Sequence, residues 1–118
     1  MISTRMHGVL DYLSTAGMVA LSRRPGWGGG PRQVLTADGT AALLYSILTR
    51  YQFGLLHIIP MSVHLTLDAA GGAVLCVAGL QSDNGKAVRA GLISLGLFEI
   101  AVAFLTEVEV PIEIQEGL

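Results

Sequence analysis

Displaced along itself by 57 residues, the chain meets its own pattern. His7 falls on His64 and Asp11 on Asp68, while Leu13 and Ala16 fall on Ala70 and Ala73. Further along, Arg32 falls on Arg89, Leu35 on Leu92, Gly39 on Gly96, and Leu48-Thr49 on Leu105-Thr106. One offset aligns both halves without a gap. Apolar segments align on leucines by chance, but hardly on a His/Asp pair, an arginine, a glycine and a threonine together. A repeat of this length restricts the fold to two copies of one supersecondary unit.

Each copy contains two apolar stretches. They run from about Met6 to Leu21, Val34 to Leu48, Met61 to Leu80 and Val88 to Leu105. The last two are close to the roughly 20 residues a helix needs to span a bilayer, and the first two fall just short. Composition supports membrane helices. The hydrophobic fraction is 52%, charged residues are 14%, and mean hydropathy is +0.60. Only 6% of residues are aromatic, so the apolar content is aliphatic and mixed with 15 glycines, which suits closely packed membrane helices. A net charge of −2 leaves no basic footprint, and nucleic acid is not expected as a partner. The single cysteine, Cys76, excludes a disulfide framework. Arg5, the run Val9 to Leu21 and Ala20-Leu21-Ser22 imitate a secretory signal, but the later partner of this segment marks it as structural.

The connections differ in character. Ser22 to Arg32 carries Pro25, Pro31 and four glycines and is read as a loop. Gln81 to Lys86 is a polar turn. Arg50 to Pro60 holds Phe53, Leu55, Leu56, Ile58 and Ile59, which suggests an interfacial segment or an extension of helix two ended by Pro60. After Glu107 the chain alternates valine or isoleucine with glutamate and reads as an acidic tail outside the bundle.

The expected architecture is an all-α, integral membrane four-helix bundle of two tandem two-helix repeats. Repeat 1 covers about 1–57 and repeat 2 about 58–107, followed by a tail over 108–118, all in one membrane domain. With two spans per unit, both units enter the membrane the same way, which gives a parallel pseudo-twofold axis along the membrane normal. One pair of loops carries Arg23, Arg24, Arg32, Lys86 and Arg89. The other side has Arg5 and Arg50 before the acidic Glu107, Glu109, Glu113 and Glu116. Positive-inside logic puts the loops in the cytoplasm and both termini outside.

Each stretch carries one carboxylate: Asp11, Asp38, Asp68 and Glu99. Acids within a bilayer cost at least about 2.5 kcal/mol each, face the bundle interior and need partners. His7 precedes Asp11 by four residues, as His64 precedes Asp68, so each pair lies on one helix face. Asp68 and Glu99 lie about 10 Å below the outer end by helical rise. Asp38 lies nearer the cytoplasmic end, one turn from the position of Glu99 in the repeat. The outer half is therefore expected to gather both His/Asp pairs, Glu99 and Arg50.

Three chemistries fit His-x-x-x-Asp pairs: a structural lock between helices, a metal or haem site with His7 and His64 as symmetric ligands, and a proton or small-solute relay. No nucleophile motif accompanies them, and the residues call for no particular cofactor. Gly28-Gly29-Gly30 lacks the Gly-Lys-Ser/Thr of a phosphate loop. Ala16/Ala20, Ala37/Ala41 and Ala69/Ala73 have the spacing of close helix contacts or of a dimer face. Trp27 and Tyr51 read as interfacial anchors on opposite sides, and His57 as a surface residue.

The opening Met-Ile-Ser-Thr-Arg-Met-His-Gly-Val-Leu-Asp-Tyr-Leu and the later Ile-Pro-Met-Ser-Val-His-Leu-Thr-Leu-Asp resemble the SPW-repeat family, small bacterial membrane proteins with two transmembrane helices per repeat. The name-giving triplet survives in the first copy as Ser22, Pro25 and Trp27, interrupted by Arg23, Arg24 and Gly26. The second copy keeps only Ser82. The resemblance spans both copies and implies the architecture, in a bacterial inner membrane, without an activity to carry over. The functional expectation is a non-enzymatic structural or accessory subunit that self-assembles or joins a larger membrane complex. The alternative is a protein binding a metal, haem, quinone or proton at the His/Asp cluster.

Overall fold

The computed structural model describes residues 1–109; the acidic tail's Pro111, Glu113 and Glu116 lie outside them. Among the described residues the protein is all-helical, with four helices and no strand: α1 (Thr4–Ser22), α2 (Gly30–Ile47), α3 (Met61–Gln81) and α4 (Lys86–Leu105). They form an elongated bundle of 47 × 23 × 17 Å. Packing is most extensive between α3 and α4, then between α1 and α2, then between α2 and α3.

Local chemistry sets the helix ends. Ser3 caps α1, its hydroxyl accepting from the Met6 amide at 3.1 Å. The α2 helix starts at Gly30, inside the segment read as loop. Pro31 occupies its first turn, where a missing N–H costs nothing and the fixed φ favours entry. Gly29 and Gly85 make the turns into α2 and α4 with φ of 63° and 103°, where a Cβ would be strained. The 48–60 connection is not a helical extension. It folds back so that Ile58 and Ile59 donate to the Leu48 carbonyl at 2.9 and 2.7 Å and Arg50 donates to Ile59 at 2.8 Å.

The buried positions recur at the interval found in the sequence. In α1 they are Thr4, His7, Gly8, Thr15, Met18 and Ser22. In α3 they are Met61, His64, Leu65, Asp68, Gly72, Leu75 and Gly79. Moved by 57, the first set lands on the second with Asp68 alone added. The sets of α2 and α4 match in the same way apart from Ala42. Backbone pairing repeats too. Ile2 and Thr106 form a bridge at the end of the bundle, as do Ile59 and Thr49, so α1 and α3 start at the end where α2 and α4 finish.

The outside of the bundle is apolar. Leu13, Leu44, Val74, Leu80, Leu97 and Phe104 are all exposed, Phe104 by 76%. The α3 and α4 helices are long and apolar enough to cross a membrane, with mean hydropathy of 1.6 and 1.9 over the relevant windows. Two sequence expectations are corrected. Of the alanines read as close contacts, Ala69 is half-buried and Ala16, Ala20, Ala37, Ala41 and Ala73 face outward. The tight seam belongs to glycines instead: a Cβ on Gly72 would stand 2.6 Å from the Gly96 carbonyl oxygen. Trp27 and Tyr51 do sit toward opposite ends, but both pack inward. Trp27 lies against Gly91, where a Cβ would come within 2.6 Å of its ring, and Tyr51 is fully enclosed.

Candidate functional site

A fully enclosed polar group lies at the end of the bundle where α1 and α3 begin. His7 is the fourth residue of α1 and His64 the fourth residue of α3, and both are 0% exposed. Asp11 and Asp68 follow one turn later on the same faces. The imidazoles and carboxylates meet across the helices as well as along them. His7 Nε2 stands 2.7 Å from Asp68 Oδ2, and His64 Nε2 stands 2.9 Å from Asp11 Oδ2. The contacts along each helix are longer, 3.1 Å for His7–Asp11 and 3.2 Å for His64–Asp68. Each unit's histidine thus lies nearer the other unit's acid than its own.

The opposite ring nitrogens are held by threonines. His7 Nδ1 lies 2.7 Å from Thr106 Oγ1, and His64 Nδ1 lies 2.7 Å from Thr49 Oγ1. Each hydroxyl gives its single proton to the carbonyl four residues back, Thr106 to Val102 and Thr49 to Tyr45, both at 2.5 Å. With that proton spent, the threonine oxygen can only accept, so both Nδ1 atoms carry hydrogen. The tautomer follows from this network: Nε2 is the atom each ring presents to the carboxylates.

Two tyrosines complete the shell. Tyr51 donates to Asp11 Oδ2 at 2.7 Å, and Tyr45 donates to Asp68 Oδ1. Burial, with the Asp11 carboxylate beside it, raises the Tyr51 phenol far above its ordinary value and keeps it a donor. Here the two halves differ, since the positions matching Tyr45 and Tyr51 are Val102 and Val108.

Asp38 and Glu99 form a second polar pair deeper in the bundle. Asp38 Oδ2 and Glu99 Oε2 are both buried and have no hydrogen-bond partner among the described residues. They meet beside Gly71, where a Cβ would stand 2.5 Å from Asp38 Oδ1 and 3.4 Å from Glu99 Oε2. The one-turn offset read from the sequence thus joins Asp38 to Glu99 from the two helices flanking α3. Glu99 also lines a cavity of about 20 Å³ with His7, Asp11 and Asp68, large enough for one water. Arg50 stays in the 48–60 connection, its Nε donating to the His57 carbonyl at 3.1 Å, and forms no ion pair among the described residues. His57 is half-buried and reaches the Gly54 carbonyl at 3.1 Å.

Of the candidates read from the sequence, His7, Asp11, His64 and Asp68 therefore meet at one point, Asp38 and Glu99 form a neighbouring pair, and Arg50 lies apart. Thr49, Thr106 and Tyr45 were missed. The alignment of Leu48-Thr49 with Leu105-Thr106 carried the signal for both threonines, since a polar residue repeated at the same end as the histidines marks a matched partner. Nothing in the repeat points to Tyr45. Chemically the cluster can hold two ion pairs or one small cation, and its cavity leaves no room for a macrocycle or a quinone ring. Compared with family models, curated proteins and solved structures, the chain matches none.

Proposed function

We propose that the chain is an integral membrane protein of four spans, built from two tandem two-helix units related by a pseudo-twofold axis, and that it acts as a non-enzymatic structural or accessory subunit. The observation that carries this reading is the crossed pairing, His7 with Asp68 and His64 with Asp11, at shorter range than either pair along its own helix. Such crossed pairs join two units into one body, and the imidazolium and carboxylate charges cancel, which burial in a membrane demands. The matched buried sets of α1 with α3 and α2 with α4 support the tandem origin, and the resemblance to the SPW-repeat family is in keeping with it. The apolar exterior supports lipid contact, and exposed Leu97 and Phe104 on α4 offer a surface for a second copy or a larger complex. In this reading the protein sits in a bacterial inner membrane with both termini outside.

A reporter fused at Gly28 is expected to behave as cytoplasmic and one placed after Leu118 as extracytoplasmic. The reverse pattern would overturn the orientation, and recovery of the protein in the aqueous fraction without detergent would overturn the membrane reading. An accessory subunit should cross-link in native membranes into a defined homo-oligomer or a larger complex; a lone monomer would contradict that role.

A further inference from the structure

We infer that His7, Asp11, His64 and Asp68 form a binding site for one divalent transition-metal ion of the zinc type, held between the two halves of the bundle. The inference goes beyond the structural role proposed above and stands whether or not the helices span a bilayer. It begins with the two rings. Thr49 and Thr106 accept the hydrogen on Nδ1 of each ring, so Nε2 is the atom that faces the carboxylates and the one that can ligate once its own proton is displaced. In the metal-free protein a proton on Nε2 joins ring to carboxylate, and a divalent cation would take the place of the Nε2 protons, releasing them to solvent.

Donor type, number and spacing all suit such an ion. Two imidazoles and two carboxylates supply four ligand atoms, all within 4.8 Å of one another. A tetrahedral ion with bonds of about 2.0–2.1 Å sets its ligand atoms about 3.3 Å apart. The four imidazole-to-carboxylate separations here run from 2.7 to 3.2 Å, with Asp11 facing the two rings through different oxygens, so these contacts open by a few tenths of an ångström and the wider pairs, within 4.8 Å, close when the ion seats. Two carboxylates against one divalent cation leave the site neutral, as its enclosure requires. The surroundings match as well, because metal-ligating histidines donate their second N–H to a fixed acceptor, here a threonine hydroxyl, and their carboxylates accept further hydrogen bonds, here from Tyr45 and Tyr51.

An independent observation concerns His64 alone. Its Nε2 is fully buried and lacks a hydrogen-bond partner of proper geometry, although carboxylate oxygens stand 2.9 and 3.2 Å away. The atom is aimed into the group without lying on a line to either oxygen. Unpartnered buried nitrogen is rare, and this one occupies a ligand position.

The test uses the full chain purified in detergent, stripped with chelator and titrated with Co²⁺ and then Zn²⁺. The expected result is one equivalent of Co²⁺ with a visible ligand-field band, displaced by Zn²⁺, and a rise in melting temperature on loading. Asp68→Asn is expected to abolish the band. Thr49→Val, which removes only the hydroxyl behind His64, should weaken binding about 10–100-fold. Asp38→Asn, outside the four, should leave binding unchanged and shows that a neighbouring buried substitution is tolerated. A helical, monodisperse protein that takes up no metal would overturn the inference, and so would undiminished binding in a His7→Ala/His64→Ala variant. Neither outcome bears on the membrane reading, which the topology reporters decide.

Discussion

Replacing His64 with leucine is expected to lower stability by about 3–5 kcal/mol, the loss seen when one partner of a buried ion pair is removed. The substitution leaves two carboxylates facing one imidazole, and Thr49 loses the Nδ1–H it accepts. Combining His64→Leu with Asp11→Asn should recover much of that loss. The double variant keeps the His7–Asp68 pair at 2.7 Å, restores charge balance, and leaves an amide oxygen to accept from Tyr51. Detergent-phase melting of the two single variants and the double gives the coupling. If the double variant melts no higher than His64→Leu alone, the crossed pairing is not what holds the halves together.

The second large effect lies on the seam between α3 and α4. Gly96→Ala is expected to destabilise the bundle by about 1–3 kcal/mol, as overpacking a rigid contact does. The new methyl would stand 2.6 Å from Cys76 Sγ and 2.9 Å from the Cys76 backbone nitrogen, and backbone cannot move aside alone. Its counterpart one repeat earlier behaves differently. A Cβ on Gly39 meets only Met18, Val19 and the Thr15 carbonyl at 3.5–3.7 Å, which is ordinary contact. Gly39→Ala should therefore be neutral or stabilising by up to about 1 kcal/mol, the helix-propensity gain of alanine over glycine. Unfolding followed by circular dichroism in detergent separates the cases. Equal shifts at the two positions would show that the two seams pack alike.

The number of helices and their order were legible because apolar stretches and breakers declare themselves locally. The meeting of His7, Asp11, His64 and Asp68 was foreshadowed by the 57-residue offset, since equivalent polar residues on equivalent faces converge on an axis. The crossed pairing was not legible. Four-residue spacing makes His7 and Asp11 neighbours on any helix, and only the packing of α1 against the other half brings Asp68 closer. The alanine pairs misled for a related reason. Spacing identifies a face but not which face is inward, and where the α3 and α4 backbones approach most closely the chain places Gly72, Gly79 and Gly96. Trp27 and Tyr51 have the amphipathic character of interfacial anchors, yet Gly91 and the His/Asp cluster offered them inward sites that one-dimensional reading does not contain.

The bond between His7 and Thr106 has a consequence for how the molecule is made. Its partners are 99 residues apart in the chain, so the first unit leaves the ribosome with a histidine that has Asp11 beside it but neither Asp68 nor Thr106. Asp68 arrives with α3, and Thr106 only after α4 has been completed. The polar core therefore closes only after α4 and Thr106 have been made, and a chain truncated before Thr106 ends with its first imidazole half-served.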